Sequence, residues 1–260
     1  MKMLLKGKVV LVTGAGQGIG RGIAQAVAEA GADLSLVDVR LASVQETAAL
    51  VQQTGRRALP LLADVTDGES CRQAIAKTVE FFGQLDGLVN NAGIIKMDSA
   101  LDITAHDWHR QFDVNVHGLF SCCQLAARQM IAQGTGGAIV NVASNAGKVG
   151  YPNMAAYNAT KAAVISITRS LANEWAQYRI NVNAVCPGGV DTPMLFEVAT
   201  WLTNRFGGDP HELVKTMKPH QMDRHVQPIE VGRVVAFLLS EHATVIRGQA
   251  INCDGGDTPY

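Results

Sequence analysis

Seven short apolar runs, KVVLVT, ADLSLVD, ALPLLAD, DGLVNN, GAIVNVAS, INVNAVCP and QAINCD, recur along the chain, each bounded by Gly, Asp, Asn or Pro. Most are rich in Val, Ile and Leu without polar alternation, the pattern of strands covered on both faces. Helix-period segments fill the gaps at about 18–30, 41–54, 68–82, 104–132, 155–177 and 228–240. Alternation from end to end implies parallel neighbours joined by right-handed crossovers. The expected fold is therefore α/β: a doubly wound parallel sheet of about seven strands with helices on both faces. No linker interrupts the rhythm, so residues 1–260 are expected to form one domain.

One segment departs from it. Residues 191–227, with a GGDP turn and Trp and Phe anchors, form a long insertion before the last helix and strand. Insertions of this length usually serve as lids or binding loops, so a substrate loop is expected, with an oligomer contact as the alternative.

Composition narrows the partners. With 47% hydrophobic residues the chain can bury a substantial core, and a net charge of -1 with scattered basic residues creates no field that would gather nucleic acid. No stretch reaches the ~18 apolar residues of a membrane helix, and MKMLLKG is too short for the apolar region of a secretory signal. The five cysteines have no regular spacing and lie mostly in apolar segments. They read as reduced core residues, Cys122 and Cys123 pointing in different directions from one helix. A cytoplasmic protein with a small-molecule partner is expected.

The first strand ends in TGAGQGIG, where Gly14, Gly18 and Gly20 lead into a helix starting at about Ile19. Such a turn lets backbone N–H groups and the helix dipole approach a phosphate. The next strand ends in Asp38, 24 residues beyond Gly14, the context that makes a glycine pattern informative. A carboxylate there accepts from both hydroxyls of an adenosine ribose and repels a 2′-phosphate. NAD is thus expected over NADP. Arg40 is the one neighbouring cation that offsets this repulsion, since Gln17 and Val39 add no positive charge. Asp38 read as a simple helix cap is the alternative. Asp64 and Val65 stand where an adenine could lie, although Asp64 could equally cap the helix beginning near Asp67. Asn90, Asn91, Ala92 and Gly93 read as support for the cofactor cleft more than as direct chemistry.

The run AAYNATKAA places Tyr157 and Lys161 four apart, on one helical face. An ammonium near a phenol favours the phenolate, lowering the phenol pKa toward working pH. Ser144 ends the fifth strand, and parallel strands present their carboxyl ends on one edge, so it is expected on the same rim as the glycine turn. Alone, Tyr157 would read as core, Lys161 as solvent-facing and Ser144 as a turn cap. Together they make an acid/base site. His106 and His109 share a helix face, but no carboxylate or cysteine completes a ligand set, and no metal is expected.

At this point the chain resembles the classical short-chain dehydrogenase/reductase family, over essentially all of residues 6–257. The matching residues are TGAGQGIG at 13–20, Asp64, NNAG at 90–93, Asn115 in NVHG, Ser144, YNATK at 157–161 and PGGVDT at 187–192. The resemblance implies a Rossmann-like single domain that binds NAD and moves hydride to and from a secondary alcohol or ketone. It implies that Ser144 orients the substrate oxygen, that Tyr157 is the general acid/base, and that Lys161 binds the nicotinamide ribose and lowers the tyrosine pKa. By the same resemblance Asn115 holds a water linking Lys161 to solvent, and Pro187, Gly188, Val190 and Thr192 border the nicotinamide. It also implies a homotetramer built on the helices at 104–132 and 155–177.

For the substrate, Ser144, Asn145, Asn153, Gly189, Met194 and Trp201 are the candidate contacts. Leu195, Phe196, Leu202 and Phe206 could extend an apolar wall, and His211 and Lys215 could bind hydroxyls or an anion. Asn145 and Asn153 favour a polyol or sugar-derived substrate. The competing readings are an NADPH-dependent reductase of 3-oxoacyl groups on a carrier protein, which Asp38 opposes, and a non-catalytic nucleotide-sensing protein, which has no use for the serine, tyrosine, lysine and asparagine set.

Overall fold

The computed structural model describes residues 3–260, so Met1 and Lys2 of the MKMLLKG start lie outside the described residues. All seven expected strands form: β1 (Val9–Thr13), β2 (Asp33–Asp38), β3 (Ala58–Leu62), β4 (Gly87–Asn90), β5 (Gly137–Val142), β6 (Ile180–Pro187) and β7 (Ala250–Cys253). They pair in parallel in the order 3-2-1-4-5-6-7. β1 and β6 are buried throughout, as uninterrupted apolar runs require. Pro60 is tolerated because β3 is an edge strand, where a missing N–H costs no ladder bond.

One face of the sheet is covered by α1 (Gly18–Glu29), α2 (Leu41–Gln53) and α9 (Pro228–Leu238), around a core that includes Ile23, Val27, Val44, Val231 and Val235. The other is covered by α3 (Gly68–Phe82), α5 (Leu119–Gln133) and α6 (Ala155–Glu174), around Ile75, Cys123, Met130, Val164 and Ile165. Among the described residues no helix is long and apolar enough to cross a membrane. All five cysteines are free. Cys123 faces Asn90 and Asn141, whereas Cys122 turns toward Cys71, their sulfurs 3.5 Å apart.

The long helix expected at 104–132 is not uniform. It divides into α4 (Ala105–Phe112), a π-helical stretch at Asp113–Gly118 and α5. The widened turn contains Asn115, fully buried, whose amide donates to the Ile94 carbonyl and to Thr160 and accepts from the Ile94 N–H. One turn earlier, Gln111 clasps the backbone of Lys96 in the same two-way manner. Two amides on one helix face thus fix the extended segment that follows β4. The 191–227 insertion is folded: α7 (Pro193–Phe206) and α8 (Pro210–Thr216) form a pair whose base is closed by a bridge between Val190 and Val226.

Candidate functional site

The strand order reverses between β1 and β4, opening a crevice at the carboxyl edge of the sheet. Here lies a cleft of about 1260 Å3, lined from the glycine turn and Asp38 through Asn91, Ser144 and Tyr157 to the 188–195 segment.

The turn at its base needs its glycines. Gly14 has φ +62°, and a Cβ there would stand 2.7 Å from Ala92 Cα; Gly18 has φ +52°. Asn91 locks this turn to β4, its Nδ2 donating to the carbonyls of Thr13 and Gly14. α1 then starts at Gly18 with no side-chain cap and no acidic residue in its first turn, leaving an open set of N–H donors. Gly20 does not line the cleft: a Cβ there would overlap the Gly14 carbonyl, so its part is to let α1 approach the turn.

Asp38 lies against this turn, 7% exposed, its two oxygens accepting from the N–H of Gly16 at 2.9 Å and of Arg40 at 3.0 Å. It therefore ties two loops together as well as facing the cleft, and each oxygen retains a free lone pair. The Arg40 guanidinium is mostly exposed, its Nε 3.9 Å from the Asp38 carboxylate. Asp64 is not the cap of α3, which is Asp67; Asp64 accepts from Thr66 and lines the cleft beside Val65. Open phosphate donors, a carboxylate at ribose position and an apolar wall fit a nicotinamide dinucleotide.

Ser144, Tyr157 and Lys161 come together where the sequence places them. Ser144 caps the turn at Asn145–Gly147 and also lines the cleft, with its hydroxyl beside the Tyr157 phenol. Lys161, 5% exposed, donates from Nζ to the Val142 carbonyl at 2.9 Å and lies 5.6 Å from the centre of the Tyr157 ring. Gly93 keeps this corner open, since a Cβ there would press on Asn115 Oδ1 and Lys161 Nζ.

One expectation about this corner changes: in the protein alone the phenol is not depressed, since burial pushes Tyr157 up to about 12, opposed by the neighbouring Ser144 hydroxyl. Lys161 sits over the ring face with its ammonium turned to a carbonyl, and burial lowers its own pKa to about 8. The Asn115 amide gives its two N–H donors to the Ile94 carbonyl and Thr160, while its Oδ1 accepts from the Ile94 N–H and keeps one lone pair.

On the substrate side, Asn145, Gly189 and Met194 line the cleft, but Trp201 and Asn153 do not. Trp201 lies edge-on to Phe206 beneath Arg205, in a separate hollow with Asp98 and Asn204. On α7 the stripe facing the cleft is Met194, Leu195 and Val198. Asn153 is a turn residue with φ +62°, a conformation asparagine tolerates, and its carbonyl accepts from Asp98. His211 packs on Phe196, and Lys215 pairs with Glu212 on the surface. Tyr151, Met154, Met217, Lys218 and Asp257 also line the cleft and went unnoticed in the sequence, because connecting segments with no period of their own bring them in.

Comparison with known proteins agrees with this geometry. The family model for short chain dehydrogenases matches residues 8–203. The chain belongs to the short-chain dehydrogenase/reductase family. It is 42% identical to a family member of Armillaria gallica, covering 96% of each chain, and 38% identical to the 2-dehydro-3-deoxy-D-gluconate 5-dehydrogenase of Dickeya dadantii, covering 97% of this chain and 96% of that one. Among solved structures, NAD+-bound xylitol dehydrogenase superposes with a TM-score of 0.90 at 36% identity, covering 97% of this chain and 99% of the other. Short-chain dehydrogenases/reductases act on CH–OH groups with a nicotinamide cofactor.

Proposed function

We propose that this short-chain dehydrogenase/reductase is a single-domain NAD-dependent enzyme that transfers hydride between the cofactor and a secondary alcohol or its ketone, with a polyol or sugar-derived molecule as substrate. The observation that carries this reading is the convergence of Ser144, Tyr157 and Lys161 on the cleft that also holds the glycine turn and Asp38. The relatives named for xylitol and for a sugar acid lend support to the substrate class.

When bound, NAD supplies the hydride acceptor. Ser144 holds the substrate oxygen, Tyr157 takes or returns its proton, and Lys161 reaches the nicotinamide ribose. Pro187, Gly188, Val190 and Thr192 border the ring, and Thr192 is fixed as the cap of α7. Asn115 acts as a positioning residue: it holds Ile94 on one side and Thr160, next to Lys161, on the other. Acid/base transfer of this kind is worth roughly 10²- to 10⁴-fold. Incubation of the protein with NAD and a panel of polyols, followed by nicotinamide absorbance, tests the assignment; no reduction of NAD with any member would sink it.

Cofactor choice rests on Asp38, whose charge opposes a 2′-phosphate. Asp38→Ser leaves Arg40 unopposed and is expected to raise the NADP-to-NAD ratio of kcat/KM by about tenfold or more, about 1.4 kcal/mol per factor of ten. Loss of the ties to Gly16 and Arg40 affects both cofactors alike, so the ratio isolates the charge. An unchanged ratio would remove Asp38 as the determinant.

Exposed Phe120 and Ile131 on α5 are consistent with a homotetramer that buries this helix. The five free thiols suit a reducing, cytoplasmic setting.

A further inference from the structure

The Asn145 side chain is already engaged at both ends. Its Oδ1 accepts from the Ser144 hydroxyl at 3.4 Å, and its Nδ2 donates to the Tyr151 hydroxyl at 2.9 Å. Asn145 is also 6% exposed, so it is a buried link and not an open contact for substrate. What the link presents to the cleft is Tyr151, which lines it and is 39% exposed. A phenol that accepts one hydrogen bond still has its own O–H to give. Among the described residues that hydrogen meets no acceptor.

The flank of Tyr151 is acidic. Asp257 lines the same cleft, with one oxygen accepting from the His220 N–H, and Asp254 lies buried behind it, holding the N–H groups of Gly256 and Thr258. Burial first, and then these two carboxylates, keep the phenol protonated above its ordinary range, while the hydrogen bond from Asn145 opposes them. Lys218, the basic residue of the neighbouring wall, has its ammonium 2.5 Å from Asp223, so its charge is met.

We propose that Tyr151 is a specificity-determining residue that donates its O–H to a second substrate oxygen, on the carbon next to the reacting one, and that its acidic flank selects a neutral vicinal diol or hydroxyketone over a substrate bearing a carboxylate there. A single carboxamide ties the hydroxyls of Ser144 and Tyr151 together, so the group that holds the reacting oxygen and the donor for its neighbour belong to one linked set. A neutral hydroxyl brings an acceptor to the waiting O–H and can donate in turn to Asp257. A carboxylate at the same point meets like charge.

This proposal rests on the dehydrogenase reading above, and its test separates the two. With NAD, kcat/KM is measured for cyclohexanol, trans-1,2-cyclohexanediol and 2-hydroxycyclohexanecarboxylate, using the parent protein and Tyr151→Phe. The parent is expected to favour the diol over the other two by about tenfold or more, the scale of one hydrogen bond to a positioned donor. Tyr151→Phe is expected to lose that advantage over cyclohexanol, and a Tm within a few degrees of the parent shows that the variant folds. A variant that keeps the diol-to-cyclohexanol ratio of the parent overturns the role of Tyr151. A parent that accepts the carboxylate as well as the diol overturns the choice of a neutral substrate. A parent inactive on all three contradicts the dehydrogenase reading itself and removes the proposal with it.

Discussion

Tyr157→Phe is expected to lower kcat by about 10²- to 10⁴-fold, with NAD affinity within about threefold of the parent as read by nicotinamide fluorescence titration. The ring is retained, so its packing in the cleft wall and its face toward Lys161 survive; only the proton carrier is lost. Burial holds this phenol up at about 12 in the protein alone, so at neutral pH it keeps its proton and is set as an acid. That protonation state suits carbonyl reduction, whereas alcohol oxidation requires the proton to leave. The sign follows: kcat/KM for oxidation should climb as pH rises from about 7 toward 10, and reduction should show no such gain. Ser144→Ala removes the neighbouring hydroxyl that lowers the phenol pKa, and should move the oxidation profile to higher pH. Turnover by Tyr157→Phe within tenfold of the parent would show that another group moves the proton.

Gly20→Ala is expected to be the most damaging single methyl in the chain. The added carbon would overlap the Gly14 carbonyl and crowd Asn91 Nδ2, the atom that ties the turn to β4. Neither neighbour is a free side-chain end, so either α1 moves away or the turn deforms. Overpacking of this kind costs roughly 3 kcal/mol, a fall of about 6–12 °C in Tm. On the proposed reading Gly14 and the start of α1 hold the cofactor's phosphates, so NAD affinity should fall by about 100-fold in the same variant. Calorimetry and cofactor titration read the two effects. The parent Tm with parent NAD affinity would mean that α1 and the turn are not in contact as described.

The sequence alone determined the sheet and the grouping of Ser144, Tyr157 and Lys161 on one rim, because both are written in local patterns. Unbroken Val/Ile/Leu runs separated by helical periods admit little besides a parallel sheet covered on both sides, and all seven strands lie where those runs do. Tyr157 and Lys161 needed only the pitch of one helix to share a face, and Ser144 only its place at the end of a parallel strand. The tertiary structure alone decided what depends on the approach of distant segments. The Tyr157 pKa depends on how far burial outweighs the neighbouring Ser144 hydroxyl, and Lys161 turns its ammonium to Val142. Asn115 gives its amide to Ile94 and Thr160, 21 and 45 residues away, partners that no local pattern names. Trp201 and Tyr151 exchange places for the same reason. An aromatic residue in the insertion invites a role in the cleft, yet the angle at which α7 crosses the rim spends Trp201 on Phe206, and a loop with no helical period delivers Tyr151 to Asn145. Periodicity fixes which residues share a face; only the packed chain fixes what that face meets.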